Sequence, residues 1–184
     1  MDKNRPLILS IIGKPDSGKT TLILKLLPEL RKKRYRVAVA KHCPHGFNLD
    51  IEGKDSWRFT QQGAEGTFLS CANQIALIRP KKSKSSIKQR LLDYFSDFDL
   101  ILMEGYNHEP GMKMIQIIRS SIEDKLSTLE EIVAYISDLS LDTDKPVYKP
   151  DDLSGIVSLI EAMQENKKSE REDEKGLFIG DFIF

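Results

Sequence analysis

The sequence contains few cysteines and no long apolar run. Its 184 residues include two cysteines, Cys43 and Cys71, which are too few for a disulfide framework and lack the C-x-x-C spacing of a metal site. We therefore expect two free thiols in a reducing compartment. The apolar runs have the length of strands and fall short of the ~20 residues that a membrane helix needs. The first five residues lack the order of a secretory leader, so we expect a cytoplasmic protein without a membrane segment.

The sequence also lacks an excess of either charge. Lysine and arginine together number 28, as do aspartate and glutamate, so the formal net charge is zero. Binding to nucleic acid depends on many basic side chains that neutralise phosphates, and we expect no DNA or RNA partner. Any bound anion must instead be held by a local group of residues. The length predicts one compact domain, or one domain with a tail.

The sequence is rich in alternating strand-like and helix-like segments, which predict the α/β class with a mostly parallel sheet between two layers of helices. Residues 6–12 form an apolar run typical of a central strand. Residues 19–34 carry leucine and isoleucine at helical spacing, and Pro28 within them predicts a kink or an early end of the helix. Further strands are predicted at 35–40, 67–70, 74–78, 100–103, 114–118, 132–136 and 147–148, and further helices at 55–62, at 87–95 and from about 151.

The strongest motif lies between the first strand and the first helix. It matches the pattern G-x-x-x-x-G-K-[ST] and reads Gly13-Lys14-Pro15-Asp16-Ser17-Gly18-Lys19-Thr20. The two glycines let backbone amides surround a phosphate, and the helix N-terminus adds partial positive charge. Lys19 then reaches the β- and γ-phosphates, while the Thr20 hydroxyl ligates Mg²⁺.

This motif predicts a P-loop NTPase-like three-layer α/β/α sandwich that binds a nucleoside triphosphate. The alternative is a glycine-rich turn that matches the pattern by chance. Lys14 also fits a variant loop in which a second lysine reaches the nucleotide of a dimer partner, and an exposed loop lysine is the alternative for this residue.

A carboxylate at the end of a neighbouring strand usually helps to hold a phosphate-bound Mg²⁺, directly or through water. The predicted strand 100–103 is followed by Glu104 and Gly105, and the glycine allows close backbone approach to a ligand. We interpret Glu104 as a metal ligand and, with Lys19, as a catalytic residue; a solvent-exposed carboxylate is the alternative. Asp99 begins the same strand, at the opposite edge of the sheet, and is interpreted as structural.

The loop of residues 41–54 follows the second predicted strand and holds Lys41, His42, His45 and Asp50. Loops at the carboxyl ends of strands bind ligands in open α/β sheets, so these residues are candidates for a substrate-binding or switch role. Asp50 is also a candidate metal ligand. The histidines and Cys43 resemble half of a zinc site, but no second cluster completes it. Ordinary polar loop residues are an equally good interpretation.

Several segments together carry a resemblance to a known family. They are Gly13 to Thr21, Lys41-His42, His45-Gly46-Phe47, Asp50, Gly53-Lys54-Asp55-Ser56-Trp57-Arg58-Phe59, Gly63-Ala64 and Glu104-Gly105-Tyr106. Over residues 7–165 the chain resembles the molybdopterin-guanine dinucleotide biosynthesis protein B family, MobB. The P-loop alone occurs in many unrelated proteins, whereas the combination is much more specific.

The resemblance implies a GTP-binding, Mg²⁺-dependent homodimer that assists the molybdopterin guanylyltransferase as it attaches GMP to molybdopterin to give molybdopterin guanine dinucleotide. Molybdopterin or its guanine dinucleotide is a further possible partner, and enzymatic activity is at most a weak GTPase. The resemblance places Gly13, Lys14, Pro15, Asp16, Ser17, Gly18, Lys19, Thr20 and Thr21 at the nucleotide, and Lys41, His42, His45, Lys54, Asp55 and Arg58 in a substrate or switch loop. The chain has no N-K-x-D segment, so GTP is implied by the resemblance alone.

Composition changes after residue 165. Residues 166–175 are almost all charged, which indicates a solvated helix extension or a disordered linker. Residues 176–184 are apolar and aromatic, and we interpret them as an added strand or anchor on the body, a second subunit or the transferase, or as a strand of the chain's own sheet. The predicted organisation is a nucleotide-binding domain, 1–165, followed by a charged linker and apolar segment, 166–184.

Two other functions remain open on the residues alone. The first is a P-loop small-molecule kinase in which Lys41, Arg58 and the basic run near Lys81 hold a phosphate acceptor, although that run lacks the arginines of a kinase lid. The second is a protein-interaction module with a vestigial nucleotide site. Hydrolysis needs an oriented water and stabilised phosphoryl charge, for which the sequence offers no clear glutamine or arginine.

Overall fold

The computed structural model describes residues 5–48, 50–79, 86–106, 110–122 and 124–179. The strands are β1 Leu7–Ile12, β2 Val37–Lys41, β3 Thr67–Ser70, β4 Ile75–Ile78, β5 Leu100–Glu104, β6 Lys113–Ile118, β7 Ile132–Ser137 and β8 Val147–Tyr148. The helices are α1 Lys19–Lys32, α2 Asp55–Gln61, α3 Ile87–Tyr94 and α4 Leu153–Ile179. The predicted order of elements is confirmed, with predicted boundaries that differ by no more than about two residues.

The chain divides into two compact units, which are residues 1–42 with 86–184, and residues 43–85. The first unit contains the large sheet and the second contains α2 with the β3–β4 pair. Helix α4 runs through residue 165 without a break. Of the two interpretations of residues 166–175, the helix extension is the one observed.

The large sheet has the strand order β2-β5-β1-β6-β7-β8, and every neighbouring pair is parallel. Strand β1 is central and buried along its whole length, as its run of six residues with one serine predicts. Glu104, the last residue of β5, pairs in register with Lys41 on one side and Ile11 on the other. Residues at the carboxyl ends of β1, β2 and β5 therefore meet at one edge of the sheet.

Helices cover both faces of this sheet, which confirms the three-layer α/β/α architecture. Alternate residues of β1 divide between the faces: Leu9 packs with α1 and α4, and Ile8 packs with α3. On the second face, a further cluster over β6 and β7 includes Leu126 and Leu141. Helix α1 continues through Pro28 to Lys32, so the early end predicted as one outcome there does not occur.

The second unit is built around a short helix and a two-stranded sheet. The Ser56 hydroxyl donates to Asp50 Oδ1 at 2.8 Å and ties the preceding loop to α2. Strands β3 and β4 are antiparallel, with Phe68 opposite Leu77. Much of this pair is exposed to solvent, and the exposed fractions of Phe68 and Ile75 are 62% and 69%.

The described part of the C-terminal segment is helical. Gly176–Ile179 continue α4 and form no added strand, while residues 180–184 lie outside the described residues. The basic run near Lys81 lies outside them as well. Within the described ranges, no helix is both long and apolar enough to cross a membrane.

Candidate functional site

The loop between β1 and α1 has the backbone conformation that its glycines permit. Gly13, Asp16 and Gly18 have φ angles of 146°, 60° and 95°, which turn the chain sharply before the helix. The Lys19 ammonium donates to the carbonyl oxygens of Gly13 at 2.9 Å and Lys14 at 2.6 Å. Lys19 is thus folded back over the loop.

Gly13 is required by close packing as well as by its φ angle. A Cβ on this residue would lie 2.7 Å from the Ile117 carbonyl oxygen and 2.8 Å from Ser17 Oγ, distances that real side chains do not tolerate. The loop is therefore pressed against β6. Only a residue without a side chain permits that contact.

The Ser17 hydroxyl is buried and, in the part of the chain that the structure describes, makes no hydrogen bond. An unsatisfied buried hydroxyl costs roughly 1–3 kcal/mol, so such groups are uncommon away from functional sites. Ser17 lies in the loop that the motif assigns to phosphate. Its hydroxyl is a donor suited to an anion bound there.

Glu104 joins the loop to the neighbouring strands. The Thr20 hydroxyl donates to Glu104 Oε2 at 2.8 Å, and the Lys41 ammonium lies 2.9 Å from Oε1. The Glu104 side chain is only 11% exposed, so these contacts compensate a largely buried carboxylate. The structure thus brings together Thr20 and Glu104, two of the three predicted metal ligands, and adds Lys41.

Backbone contacts and one aromatic pair hold the strand ends around this carboxylate. The His42 amide donates to the Glu104 carbonyl oxygen at 3.0 Å, and the Gly105 amide donates to that of Ile11 at 2.9 Å. The His42 and Tyr106 rings pack edge to face with centroids 5.1 Å apart. His42 is therefore beside the predicted metal ligand.

Ser10 is a supporting residue that the sequence analysis missed. Its buried hydroxyl donates to the Tyr106 carbonyl oxygen at 2.6 Å and so links β1 to the segment after β5. In the sequence, Ser10 stands out only as the single polar residue of the apolar strand β1. Strand periodicity alone does not indicate what such a residue contacts.

The remaining predicted loop residues, which are His45, Asp50, Lys54, Asp55 and Arg58, belong to the second unit. Asp50 accepts hydrogen bonds from the Ser56 hydroxyl and the Ile51 amide, and Asp55 lies in the first turn of α2. Their assignments to substrate, switch or metal stay predictions.

The described residues contain no group of three or more His, Cys, Asp or Glu side chains that could hold a metal. The partial zinc pattern around Cys43 is therefore not completed among them. The pair of Thr20 and Glu104 is a different kind of site, because Mg²⁺ commonly takes one or two protein oxygens and fills its other positions with water and phosphate oxygens. The Thr20 hydroxyl and the Glu104 carboxylate are oxygen donors that fit such an ion.

A cavity of about 620 Å³ lies beside the loop, on the side of β6 and β7. Asp16 and Ser17 of the loop line it, as do Arg119 and Asp138, which follow β6 and β7. The Ser120 amide and hydroxyl hold the pKa of the Asp138 carboxyl below its usual range. The sequence analysis did not identify this cavity, because its walls come from segments far apart in the chain.

Asp151 and Lys25 form another part of the cavity wall. The Lys25 ammonium lies 2.7 Å from Asp151 Oδ1. Its hydrogen bond and charge hold the pKa of Asp151 below the usual range. This contact joins α1 to the segment that precedes α4.

Four features together define a class of protein. They are the strand order, the loop between β1 and α1, the lysine folded over that loop and the carboxylate on the adjacent strand. They are the features of a P-loop NTPase-like α/β protein.

Comparison with known proteins identifies the family. Residues 8–138 match the family model for molybdopterin guanine dinucleotide synthesis protein B, MobB. A match over this much of the chain shows that it belongs to the MobB family, and the resemblance drawn from the motifs is confirmed.

Curated relatives and solved structures agree with this assignment. The chain is 32% identical over 161 residues to the molybdopterin-guanine dinucleotide biosynthesis adapter protein of Haemophilus influenzae, covering 84% of this chain and 87% of that protein. It is 28% identical over 159 residues to the adapter protein of the same name from Escherichia coli, covering 83% and 90%.

A crystal structure of molybdopterin-guanine biosynthesis protein B is similar with a TM-score of 0.66 and 28% identity, over 85% of this chain and 99% of that one. The crystal structure of Bacillus subtilis MobB, at 22% identity and a TM-score of 0.67, covers 84% and 96%. This second structure supports the fold.

Proposed function

We propose that this chain is a GTP-binding adaptor in molybdenum cofactor maturation, which assists the attachment of GMP to molybdopterin in the cytoplasm. The observation that carries the proposal is the contact between Thr20 and Glu104, next to the folded-back Lys19. It places a hydroxyl and a carboxylate beside a loop suited to phosphates. The names of the curated relatives support the pathway and the adaptor role.

In this proposal the loop from Gly13 to Thr21 holds the phosphates. The backbone amides, the Lys19 ammonium and the buried Ser17 hydroxyl are the donors. Thr20 and Glu104 would hold Mg²⁺. When bound, that ion would neutralise part of the charge of the phosphates.

We propose that hydrolysis is slow and that the nucleotide serves chiefly to change the state of the protein. The contacts described at the site involve Lys19, Thr20, Lys41 and Glu104, and neither a glutamine nor an arginine takes part in them. Such side chains orient water or stabilise phosphoryl charge in fast GTPases. A ligand that binds Glu104 competes with the contact between Glu104 and Lys41. Lys41 lies one residue before His42, at which the first stretch of the large unit ends.

We propose further that the chain forms a homodimer and contacts the molybdopterin guanylyltransferase, with molybdopterin or its guanine dinucleotide as a further ligand. The β3–β4 pair supports an interface, because Phe68, Ile75 and Leu77 share one face of it and all are exposed.

The double variant Phe68→Ser, Ile75→Ser should lower the mass measured by light scattering from that of a dimer to that of a monomer. A wild-type chain that is monomeric at micromolar concentration would contradict this part of the proposal.

Calorimetric titration tests nucleotide binding. We expect GTP with Mg²⁺ to bind more tightly than ATP, and Lys19→Ala to lose at least about tenfold in affinity because a charge-assisted contact to phosphate is lost. Lys32→Ala is the control, since Lys32 lies on the same helix and pairs with Glu29 on the surface. Binding of neither nucleotide would overturn the proposal, and preference for ATP would favour the kinase alternative.

A further inference from the structure

A nucleoside triphosphate bound at the loop must extend its nucleoside to one side of β1. On the side of β5 and β2, Glu104 contacts both Thr20 and Lys41 next to the loop. On the other side lies the cavity of about 620 Å³, a volume within the ~300–1,000 Å³ range of small-molecule sites. The cavity is lined in part by the loop residues Asp16 and Ser17. It is therefore continuous with the phosphate site.

The walls of the cavity suit a flat heterocycle. Leu22 of α1, Ile117 of β6 and Ile136 of β7 belong to the buried core and form an apolar floor beneath it. Arg119 lies at the same end of the sheet as Asp138. A base placed there would have the apolar floor against one face and charged groups at its edge.

Asp138 is the acidic group with the geometry to read that edge. Its Oδ1 accepts a hydrogen bond from the Ser120 amide at 2.8 Å, and its Oδ2 accepts one from the Ser120 hydroxyl at 3.0 Å. These bonds orient the carboxylate, and each oxygen retains a further lone pair. They also hold its pKa below the usual range, so at neutral pH it is an acceptor only.

Such an oriented carboxylate distinguishes the two purines. The Watson–Crick edge of guanine presents two adjacent N–H donors, from the ring nitrogen and the exocyclic amine, which match two carboxylate oxygens. The same edge of adenine presents a ring acceptor, which a carboxylate repels. Asp151 is a weaker candidate, because its Oδ1 pairs with the Lys25 ammonium, which offsets the negative charge of the carboxylate.

We propose that this cavity is the base site and that Asp138 is the residue that selects guanine over adenine. The inference rests on the proposed function, because it takes the phosphates to be in the loop. It assigns to this chain a means of reading guanine that does not use an N-K-x-D segment.

The test is calorimetric titration of wild type and Asp138→Asn with GTP, ATP and XTP, each with Mg²⁺. The amide keeps one acceptor and gains a donor, which matches the carbonyl that xanthine carries in place of the guanine amine. We expect GTP affinity to fall by about 10–100-fold, as for the loss of a hydrogen bond to a charged group, and XTP affinity to rise. Asp142→Asn, a change of the same charge at an exposed aspartate, should keep the GTP preference.

Inorganic triphosphate with Mg²⁺ is the second probe. Its affinity should be equal in wild type and Asp138→Asn, because it has no base. A parallel loss of triphosphate binding would show that Asp138 acts through the loop structure and would overturn the inference. An unchanged GTP preference in Asp138→Asn would overturn it while leaving the proposed function intact. Absence of GTP binding by the wild-type protein would overturn both this inference and the proposed function.

Discussion

Thr20 and Glu104 are 84 residues apart in the chain, and the Thr20 hydroxyl donates a 2.8 Å hydrogen bond to Glu104 Oε2. Thr20 lies in the first turn of α1, and Glu104 is the last residue of β5. Because β5 pairs directly with β1, the carboxylate reaches the loop that follows β1. This contact joins two of the three residues that were predicted to hold Mg²⁺.

Glu104→Gln should weaken the binding of GTP in the presence of Mg²⁺. The amide oxygen can still accept from Thr20, but the negative charge that favours a divalent cation is lost. We expect about a tenfold to hundredfold loss of affinity with Mg²⁺, equivalent to ~1.4–2.7 kcal/mol, and little change with EDTA. Asp99→Asn, at the opposite end of β5 where it accepts from the Arg36 amide, is the control. Equal loss with and without Mg²⁺ would contradict a metal-binding role.

Ser17→Ala and Ser10→Ala should change stability in opposite directions in the absence of ligand. The Ser17 hydroxyl is buried with no hydrogen bond within the described chain, so its removal should raise the free energy of unfolding by about 1 kcal/mol. Ser10→Ala removes the bond to Tyr106 and should lower it by about 1 kcal/mol. Urea denaturation followed by circular dichroism measures both, and destabilisation by Ser17→Ala would refute the first expectation.

The same Ser17→Ala variant should bind GTP more weakly than wild type, since the hydroxyl is then missing as a phosphate donor. Stability and binding would thus change in opposite senses at this position. A variant that is more stable and binds GTP equally well would exclude Ser17 from the phosphate site.

Gly13→Ala should destabilise the protein more than Gly105→Ala. Both glycines have positive φ angles, 146° and 78°, but only at Gly13 would a Cβ meet the Ile117 carbonyl oxygen, at 2.7 Å. We expect a loss of about 1–2 kcal/mol at Gly105 from backbone strain and roughly 1–3 kcal/mol more at Gly13 from overpacking. Equal losses in urea denaturation would show that the loop can move away from β6.

The ion pair of Lys25 and Asp151 should make stability depend on acid pH. The pKa of Asp151 is lowered in the folded state, so its stabilising contribution is present above the ordinary aspartate pKa of about 3.9. The contribution is lost as the pH falls through the lower folded value. Lys25→Met should therefore be slightly less stable than wild type at pH 7.

The difference in stability between wild type and Lys25→Met should narrow below about pH 4, as Asp151 becomes protonated in both proteins. It should be small throughout, because the Lys25 and Asp151 side chains are 47% and 85% exposed. Lys32→Met removes a charge from the same helix without touching Asp151 and is the control. A Lys25→Met difference from wild type that persists unchanged to pH 2 would rule out this explanation.

The loop from Gly13 to Thr20 was predictable because its information is local. An apolar strand, a spaced pair of glycines and an amphipathic helix are each readable within a few residues, and their order determines which backbone groups face a ligand. Glu104 was predictable for a related reason. Strands of a parallel sheet end at one edge, so a carboxylate directly after a buried strand is expected near the loop.

Other features were not predictable, because they depend on residues distant in the chain. The contact of Lys41 with Glu104 requires β2 to lie beside β5, and hydrophobic periodicity does not specify which strands are neighbours. The orientation of Asp138 requires Ser120, which is 18 residues away. The continuation of α4 through the charged residues 166–175 was one of two alternatives that composition leaves open.

By itself, the sequence determined the α/β class, the positions of the main elements and the glycine-rich loop that is proposed to bind phosphates. These follow from local periodicity and from the conformations open to glycine. Only the tertiary structure decided that Lys41 shares Glu104 with Thr20, that the buried Ser17 hydroxyl has no hydrogen-bond partner among the described residues, and that a cavity lined by Asp138 adjoins the loop. These relationships arise from the order in which parallel strands assemble, which depends on packing over the whole sheet.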